Sequence, residues 1–210
     1  MNIEKNSKLI IISSPSGAGK TTLCKLLLKN MKNLQLSISY TSRSRRLNEI
    51  NGKDYYFVSE KKFQLLNNKN YFIETANNFN FYYGSPYINI KNSKKNNKHL
   101  LFDIDWKGAR RIRNKIDKNN IIDFFILPPS LSELKKRLIK RGRDNKKEIQ
   151  LRYTYAKKEM KHYKEYKYVL INKNVYQTVN EIKKIIDYHL LIDNNKKLLN
   201  RKFNRIINIK

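Results

Sequence analysis

Cysteine is almost absent from this sequence, since Cys24 is the only one among 210 residues. An internal disulfide bond is therefore impossible, and a reducing compartment is compatible with the composition. Cys24 falls in a predicted helix, which favours a buried thiol over a reactive one. His99, His162 and His189 are the only histidines, and they lie too far apart to show the spacing of a metal site.

Long hydrophobic runs are also missing. The apolar run at residues 9–12 is too short for the core of a signal peptide, and no run approaches the length that spans a bilayer. We therefore expect a soluble, cytoplasmic protein that does not act on a membrane.

Acidic residues are scarce, with 17 Asp and Glu against 46 Lys and Arg, which gives a formal net charge of +29. One interpretation is nucleic-acid binding, because Lys and Arg neutralise backbone phosphates. The other is codon bias, because Asn, Lys, Ile and Tyr all have AT-rich codons. The lysines are spread along the chain, which favours the second interpretation. We expect weak attraction to polyanions but no specific nucleic-acid partner.

Apolar strands alternate with helices along most of the chain. Strands are predicted at 9–13, 34–39, 55–58, 99–105, 121–127 and 168–172. Helices are predicted at 21–31, 60–67, 131–140, 148–163 and near 179–191, with a loop at 43–52 and exposed turns at 92–97. The alternation indicates βαβ units and a mostly parallel sheet. The aromatic-rich segment 39–90 interrupts it and is expected to form a small sheet of its own.

A phosphate-binding loop is predicted where the first strand meets the first helix, in SPSGAGKT at residues 14–21. Gly17 and Gly19 allow backbone N–H groups to turn toward a phosphate, and the helix adds its positive end. Lys20 supplies an ammonium group for the β- and γ-phosphates, and Thr21 offers a hydroxyl to Mg²⁺. Ser14 replaces the first glycine of the usual pattern. An ordinary glycine turn is the alternative, and the loop alone does not identify the reaction.

A second group of candidate residues lies in SYTSRSRRLNEINGKDYYF at residues 39–57, which holds three arginines, two acids and three tyrosines. Guanidinium groups bind phosphate through paired hydrogen bonds, although charge alone would equally fit a solvated basic loop. Glu74 follows in the apolar stretch FIETA, and YYGS comes at residues 82–85.

These segments resemble the guanylate kinases. The matching stretches are SPSGAGKTTL, SISYTSRSRRLNEINGKDYYF, YFIETA, FYYGS, LFDIDWKGA, LPPSLSELKKRLIKRG and VLIN, in the family's order and spacing. The combination of T-x-R-x-x-R-x-x-E-x-x-G-x-D-Y with D-I-D-W-x-G makes the resemblance specific. It implies an α/β fold of the P-loop nucleoside monophosphate kinase type. Helices would flank a parallel sheet, with a small mixed β insertion for GMP and a helical lid.

The resemblance also implies a division of the chain and a reaction. The expected parts are a core (1–38, 90–130 and 156–194), a GMP-binding subdomain (39–89), a lid (131–155) and a basic tail (195–210). The expected reaction transfers the γ-phosphoryl group of MgATP to GMP, giving ADP and GDP in purine nucleotide metabolism. No residue identifiably reads the 2′-hydroxyl, so dGMP is expected as a second acceptor. The oligomeric state is left open between a monomer and a homo-oligomer.

Site residues follow from the resemblance by matched position. The ATP site would comprise Ser14, Pro15, Ser16, Gly17, Ala18, Gly19, Lys20, Thr21 and Asn172. The GMP phosphate would be held by Arg43, Arg46, Tyr55 and Tyr83, and the base by Glu74 with Ser39, Ser85 and Asp105. Thr21 and Asp103 would hold Mg²⁺. Lys20, Arg137, Arg141 and Arg152 would carry catalysis, the three arginines as cations of the lid.

The chemistry of guanine independently supports the assignment of Glu74. Guanine presents N1–H and the exocyclic amine as two donors on one edge, and an ionised carboxylate accepts both. Adenine has an acceptor at N1 and no amine at C2, so it would leave the buried carboxylate unpaired. An unpaired buried group costs about 1–3 kcal/mol, and more when it is charged. A strong preference for GMP over AMP is expected.

Several residues depart from the family pattern or have other interpretations. Arg45 and Asn48 replace the usual Pro and Gly of the GMP loop, Arg143 is an additional lid cation, and Lys173 follows Asn172 in place of an acid. Asp103 and Asp105 could instead cap the end of a strand, and the lid arginines could be a solvated helix face. The tail residues Leu198, Leu199, Phe203, Ile206 and Ile207 follow a helical period, which favours a basic helix packed on the core over membrane or nucleic-acid contact.

Three other functions remain compatible with parts of the sequence. A non-catalytic module could bind phosphorylated partners through the GMP pocket, but such modules usually lose the loop lysine or the lid arginines. A kinase for a phosphorylated sugar would not need Glu74. A nucleic-acid binder is suggested by charge alone and would bind independently of GMP.

Overall fold

The structure, a computed structural model, describes residues 7–140 and 146–206, without the side chains of Lys197, Asn200, Arg201 and residues 203–206. Its strands are β1 (Leu9–Ser13), β2 (Leu34–Leu36), β3 (Tyr40–Thr41), β4 (Tyr56–Phe57), β5 (Phe72–Asn78), β6 (Phe81–Pro86), β7 (His99–Asp103), β8 (Ile121–Leu127) and β9 (Tyr168–Ile171). Its α-helices are α1 (Lys20–Asn30), α2 (Glu60–Asn68), α3 (Ile88–Lys95), α4 (Trp106–Lys115), α5 (Leu131–Lys140), α6 (Lys146–Met160) and α7 (Val175–Ile206).

A five-stranded parallel sheet forms the centre of the molecule, in the order β2-β7-β1-β8-β9. Every residue of β1 is buried, as the continuous apolar run predicts for a strand covered on both faces. Ile10 and Ile12 pack with α1 and α7 on one face, and Leu9 and Ile11 pack with α3 and α4 on the other. The expected parallel core is confirmed, and the carboxyl end of β1 leads directly into the glycine-rich loop.

A separate four-stranded sheet occupies part of residues 39–89, in the order β4-β3-β6-β5. The β3–β4 pair is parallel, whereas β3–β6 and β5–β6 are antiparallel, so the expected mixed sheet is confirmed. Its aromatic residues supply its own small core. The ring of Phe63 on α2 stacks on Phe72 with 4.8 Å between ring centres and on Tyr82 with 5.5 Å.

Helices α5 and α6 cover the segment expected to be a lid. Ser130 caps α5 as predicted, because its hydroxyl accepts a hydrogen bond from the backbone N–H of Glu133 at 3.1 Å. Leu134 and Leu138 on α5 pack against Ala156 on α6. The predicted lid residue Arg141, and with it Arg143, lies outside the described residues.

Some predicted elements are wrong in extent or type. β2 ends at Leu36 rather than at residue 39, and β7 ends at Asp103 rather than at residue 105. The turns expected at 92–97 are largely the end of α3, which is stabilised by the burial of Ile90 and Ser93. Helix α4, absent from the prediction, buries Gly108, Ala109 and Ile112 between exposed basic residues.

Helix α7 continues without a break from Val175 to Ile206, so the expected boundary of the tail at residue 195 falls inside a helix. Leu198 is 51% exposed and Leu199 is 64% exposed, so the expected packing of the tail on the core does not hold for these side chains. Among the helices of the described residues, none is both long and apolar enough to cross a bilayer.

Candidate active site

The glycine-rich loop between β1 and α1 adopts the conformation that its sequence predicts. Gly17 and Gly19 have φ angles of 92° and 99°, in the left-handed region that favours glycine. Side chains at these two positions would also meet other elements. An added Cβ at Gly17 would lie 2.9 Å from Leu134 of α5, and one at Gly19 would lie 2.7 Å from the amide nitrogen of Asn172. The loop is therefore shaped by its own glycines and enclosed by α5 and the end of β9.

The loop lines a cavity of about 350 Å³. Its walls are formed by Ser14, Pro15, Ser16, Gly17, Gly19, Lys20, Thr21, Thr22 and Arg137. Backbone N–H groups at the start of a helix, with a lysine and an arginine beside them, form a site for a polyphosphate.

Lys20 forms an ion pair with Asp103 at the end of β7. Burial lowers the pKa of Lys20, but the charges of Asp103, Cys24 and Tyr55 and the hydrogen bond to Asp103 together outweigh it. The net shift is therefore upward, and the ammonium group is charged at neutral pH. Thr21 and Asp103 both line a second, larger cavity of about 780 Å³. The structure therefore places close together the three residues that were predicted to contact the phosphates and Mg²⁺, namely Lys20, Thr21 and Asp103.

The second cavity lies directly against the first, because Thr21 and Thr22 line both. Ser39, Arg46 and Tyr55, which were predicted to contact GMP, line it together with Asp103. Two sites lined by cations and phosphate-binding groups are thus adjacent, separated only by the start of α1.

Glu49 lines this second cavity with Arg46 and positions both Arg46 and the neighbouring Arg43. Its carboxylate accepts two hydrogen bonds from the Arg43 guanidinium, at 2.8 and 3.0 Å, and one from the backbone N–H of Arg46 at 2.9 Å. The Arg43 guanidinium also lies 5.5 Å from the ring centre of Tyr55, which in turn lies 6.0 Å from the ring of Tyr83. Glu49 was not assigned a role from the sequence, although its place in the R-x-x-R-x-x-E string is a visible signal.

Glu74 lies on β5 and is only 3% exposed. The hydroxyl of Ser85 donates to its carboxylate at 2.6 Å, and Ser39 and Ser85 share a hydrogen bond of 3.0 Å. Burial raises the pKa of Glu74 to about 7, with Asp105 contributing in the same direction and the Ser85 hydrogen bond opposing. The structure thus groups Glu74, Ser39 and Ser85 as predicted.

Gly108 makes room for Glu74, a role that the sequence did not reveal. It lies on α4, and an added Cβ would lie 2.5 Å from Oε2 of Glu74 and 3.1 Å from its Cδ. Residues 74 and 108 belong to different elements, so their proximity depends on the packing of α4 against β5. Any side chain at position 108 would displace the carboxylate.

Asp105 caps α4 rather than ending a strand. Its Oδ1 accepts a hydrogen bond from the N–H of Gly108 at 2.8 Å, and its Oδ2 accepts one from the Asn78 side chain at 2.8 Å. The alternative of a capping role therefore holds for Asp105, at a helix start. Its Oδ1 thus holds Gly108, which lies against Glu74, and a direct contact of Asp105 with the base stays a prediction.

The predicted lid arginines occupy different places. Arg137 donates to Glu133 on its own helix at 3.0 Å, and its guanidinium also reaches the carbonyl oxygens of Asn172, at 3.2 Å, and Ala18, at 3.5 Å. Arg152 lies over the ring of Phe79, 4.7 Å from its centre, in the turn between β5 and β6. Arg137 thus reaches the glycine-rich loop, whereas Arg152 does not line its cavity.

Asn172 lies beneath the glycine-rich loop. It is 4% exposed, its amide nitrogen donates to the carbonyl of Ala18 at 2.9 Å, and its amide oxygen accepts from Thr178 at 3.4 Å. Asn172 therefore supports the glycine-rich loop through this hydrogen bond, and its contact with adenine stays a prediction.

Comparisons with known proteins agree with this geometry. A model of the guanylate kinase family matches residues 6–189. A guanylate kinase of Rickettsia prowazekii is 46% identical, with 89% of this chain and 93% of that protein covered. A guanylate kinase of Blochmanniella pennsylvanica is 48% identical, with 81% and 82% covered. The crystal structure of guanylate kinase from Anaplasma phagocytophilum has a TM-score of 0.72 at 31% identity, covering 88% of this chain and 86% of that one. This chain therefore belongs to the guanylate kinase family.

Proposed function

We propose that this protein transfers the γ-phosphoryl group of ATP to GMP, and to dGMP, giving ADP and GDP. The observation that carries the proposal is the pair of adjacent cavities that meet at Thr21 and Thr22. One is formed by the phosphate loop and the other by residues suited to a nucleoside monophosphate. Two nucleotides held end to end allow direct transfer, because positioning removes most of the entropic barrier.

GMP would bind in the larger cavity. Arg43 and Arg46, arranged by Glu49, would hold its phosphate with the hydroxyls of Tyr55 and Tyr83. Glu74 would accept N1–H and the exocyclic amine of guanine, while Ser39, Ser85 and Asp105 hold the carboxylate and its surroundings in place. An ionised, buried carboxylate selects a base that offers two donors, which supports guanine over adenine.

ATP would bind with its phosphates on the loop of residues 14–19. Lys20 and Arg137 are cations at that loop, and they would stabilise the negative charge that spreads over the transferring group. Arg152 lies on α6, with its guanidinium over the ring of Phe79, and would join the site when residues 131–155 close. Closure of the lid and of residues 39–89 over the core would exclude water and so limit ATP hydrolysis.

A Mg²⁺ ion would fit beside Thr21 and Asp103. Both side chains line the larger cavity and offer oxygen atoms, the donors that Mg²⁺ prefers together with phosphates and water. When bound, the ion would neutralise charge on the phosphates. Asp103 also pairs with Lys20, so the carboxylate proposed to bind Mg²⁺ contacts the lysine of the phosphate loop. In-line transfer needs no covalent enzyme intermediate and no histidine base.

A coupled assay of ADP formation tests the proposal directly. Protein with MgATP should form ADP rapidly with GMP, more slowly or comparably with dGMP, and negligibly with AMP, CMP or UMP. Protein that is folded and binds ATP, yet forms no ADP with any of these acceptors, would instead support a non-catalytic module that uses the GMP pocket for binding.

Guanine binding should weaken as the pH falls through the pKa of Glu74, about 7. Below that pH the carboxyl group is protonated, so it loses the charge and one acceptor that guanine requires. Since only the ionised fraction is competent, KM for GMP should rise about tenfold between pH 8 and pH 6. The phosphate group of GMP has a second pKa of about 6, so it changes charge in the same pH range.

Guanosine is the control for this prediction, because it has no phosphate to titrate. Its inhibition constant against GMP should rise over the same pH range and by a similar factor. An inhibition constant for guanosine that stays flat from pH 8 to pH 6 would show that Glu74 does not read the base in its ionised form.

A further inference from the structure

A carboxylate near the end of α6 contacts the phosphate loop at a position suited to a nucleotide. Glu159, near the end of α6, accepts a hydrogen bond through Oε2 from the backbone N–H of Ser16 at 3.3 Å. Residues 14 and 16 line the cavity of the loop, whose N–H groups are the natural ligands of phosphate oxygens. The mechanism above gives Glu159 no role, although it places a negative charge where ATP would bring several more.

The end of α6 is anchored beside this contact. The ring of His162, just after α6, stacks on Trp106 of α4 with 3.5 Å between ring centres. On the other side of the loop, Leu134 of α5 packs close enough to Gly17 to exclude a side chain there. Glu159 therefore reaches the loop from an anchored helix end.

The charges around Glu159 come from three elements. Lys20 lies at the start of α1, and Asp105 and Lys107 lie at the start of α4. The same cavity of about 730 Å³ that Glu159 lines is also lined by residues of α6 and the turn after it, namely Glu148, Arg152, Lys158 and His162. Burial raises the pKa of Glu159 to about 7, with Asp105 acting in the same direction and the Ser16 N–H, Lys20 and Lys107 opposing. The Glu159 side chain can therefore be either charged or neutral near pH 7.

We propose that Glu159 is an internal anion that occupies the Ser16 N–H while the ATP site is empty and competes with the phosphates of ATP for the loop. The inference rests on the proposed function insofar as it takes this loop to be the ATP site. A carboxylate at the same N–H group as a phosphate oxygen is repelled by it, and only one of them can accept the hydrogen bond. Binding of ATP then requires Glu159 either to leave the loop or to take up a proton.

Calorimetric titration of MgATP in the absence of GMP tests the inference. Glu159→Gln keeps the size of the side chain and an oxygen that can accept from Ser16, but it removes the charge. At pH 8 this variant should bind MgATP about three- to tenfold more tightly than the unaltered protein, as expected for the loss of one nearby like charge in a partly solvated site. Glu181→Gln, on the exposed face of α7, is the matched control and should leave the affinity unchanged.

The ratio of the two affinities should also depend on pH. At pH 6 Glu159 of the unaltered protein is itself mostly protonated, so the advantage of Glu159→Gln should shrink toward one. Taking the ratio cancels the titration of ATP and of the neighbouring groups common to both proteins. Glu159→Ala, which lacks the acceptor as well, should bind MgATP at least as tightly as the unaltered protein.

Equal or weaker binding by Glu159→Gln at pH 8, with an unchanged thermal midpoint, would overturn the inference and leave Glu159 as a structural anchor of α6. That result would not touch the proposed function, because phosphorylation of GMP by the unaltered protein is a separate measurement. Failure of the unaltered protein to bind MgATP at all would overturn both.

Discussion

Glu74→Gln is expected to lower kcat/KM for GMP by roughly 10³-fold, because charge-assisted hydrogen bonds to a buried group are worth about 1.5–3 kcal/mol each. Glu74 is almost fully buried and is held by Ser85 at 2.6 Å, so a substituted side chain has little freedom to find other partners. Glutamine has one acceptor and one donor group where guanine needs two acceptors. One donor of the base would then face an amide N–H₂.

The loss of activity in Glu74→Gln should concern GMP, the phosphoryl acceptor, and not MgATP. Steady-state kinetics should show it in kcat/KM for GMP, while the dissociation constant for MgATP stays within a factor of two. Glu60→Gln is the matched control, because Glu60 is an exposed glutamate on α2 of the same subdomain. Comparable losses in the two variants, or equal losses for GMP and MgATP in Glu74→Gln, would contradict the assignment of Glu74.

Gly108→Ala is expected to lower kcat/KM for GMP by about 10²-fold without unfolding the protein. In an ordinary helix interior this change stabilises by about 1 kcal/mol, because alanine is the better helix former. Here the new methyl group would lie 2.5 Å from Oε2 of Glu74, so the carboxylate must move away from the base. A misplacement of about 1 Å in a binding group can cost on the order of 10²-fold in rate.

A second substitution separates displacement of Glu74 from general damage to α4. Glu74→Asp shortens the side chain by one methylene, which leaves space for the methyl group that Gly108→Ala introduces. Gly108→Ala with Glu74→Asp should therefore lose less activity than the product of the two single losses, as coupled sites do. Asn114→Ala, on the exposed face of the same helix, should retain full activity. Multiplicative losses in the double variant would show that Gly108 acts independently of Glu74.

The elements that the sequence predicts well are those whose pattern is local. The apolar run of β1, the glycines after it and the leucines of α1 are contiguous, and each favours one structure. Helices α3 and α4 were missed because their buried faces are short. Ile90 and Ser93 are the only buried residues of α3, and five basic residues of α4 mask the period of Ala109 and Ile112. Their stability comes from packing on β7 and β5, which a local pattern does not display.

The site shows the same division. Lys20, Thr21 and Arg46 belong to sequence motifs that indicate their chemistry, and the structure places them around two adjacent cavities. The roles of Gly108 and Glu159 depend on contacts with residues that are 34 and 143 positions away, at Glu74 and Ser16. Those contacts arise only when α4 packs on β5 and the end of α6 lies against the glycine-rich loop.

The most direct test of the account follows the phosphoryl group itself. Protein is mixed with GMP and MgATP labelled with ³²P at the γ-position, and the nucleotides are separated after a short incubation. The label is expected to appear in GDP in an amount equal to the ADP formed, with little inorganic phosphate, because the proposed closure would exclude water from the site. Label in inorganic phosphate alone, or none in GDP while both nucleotides bind, would contradict it.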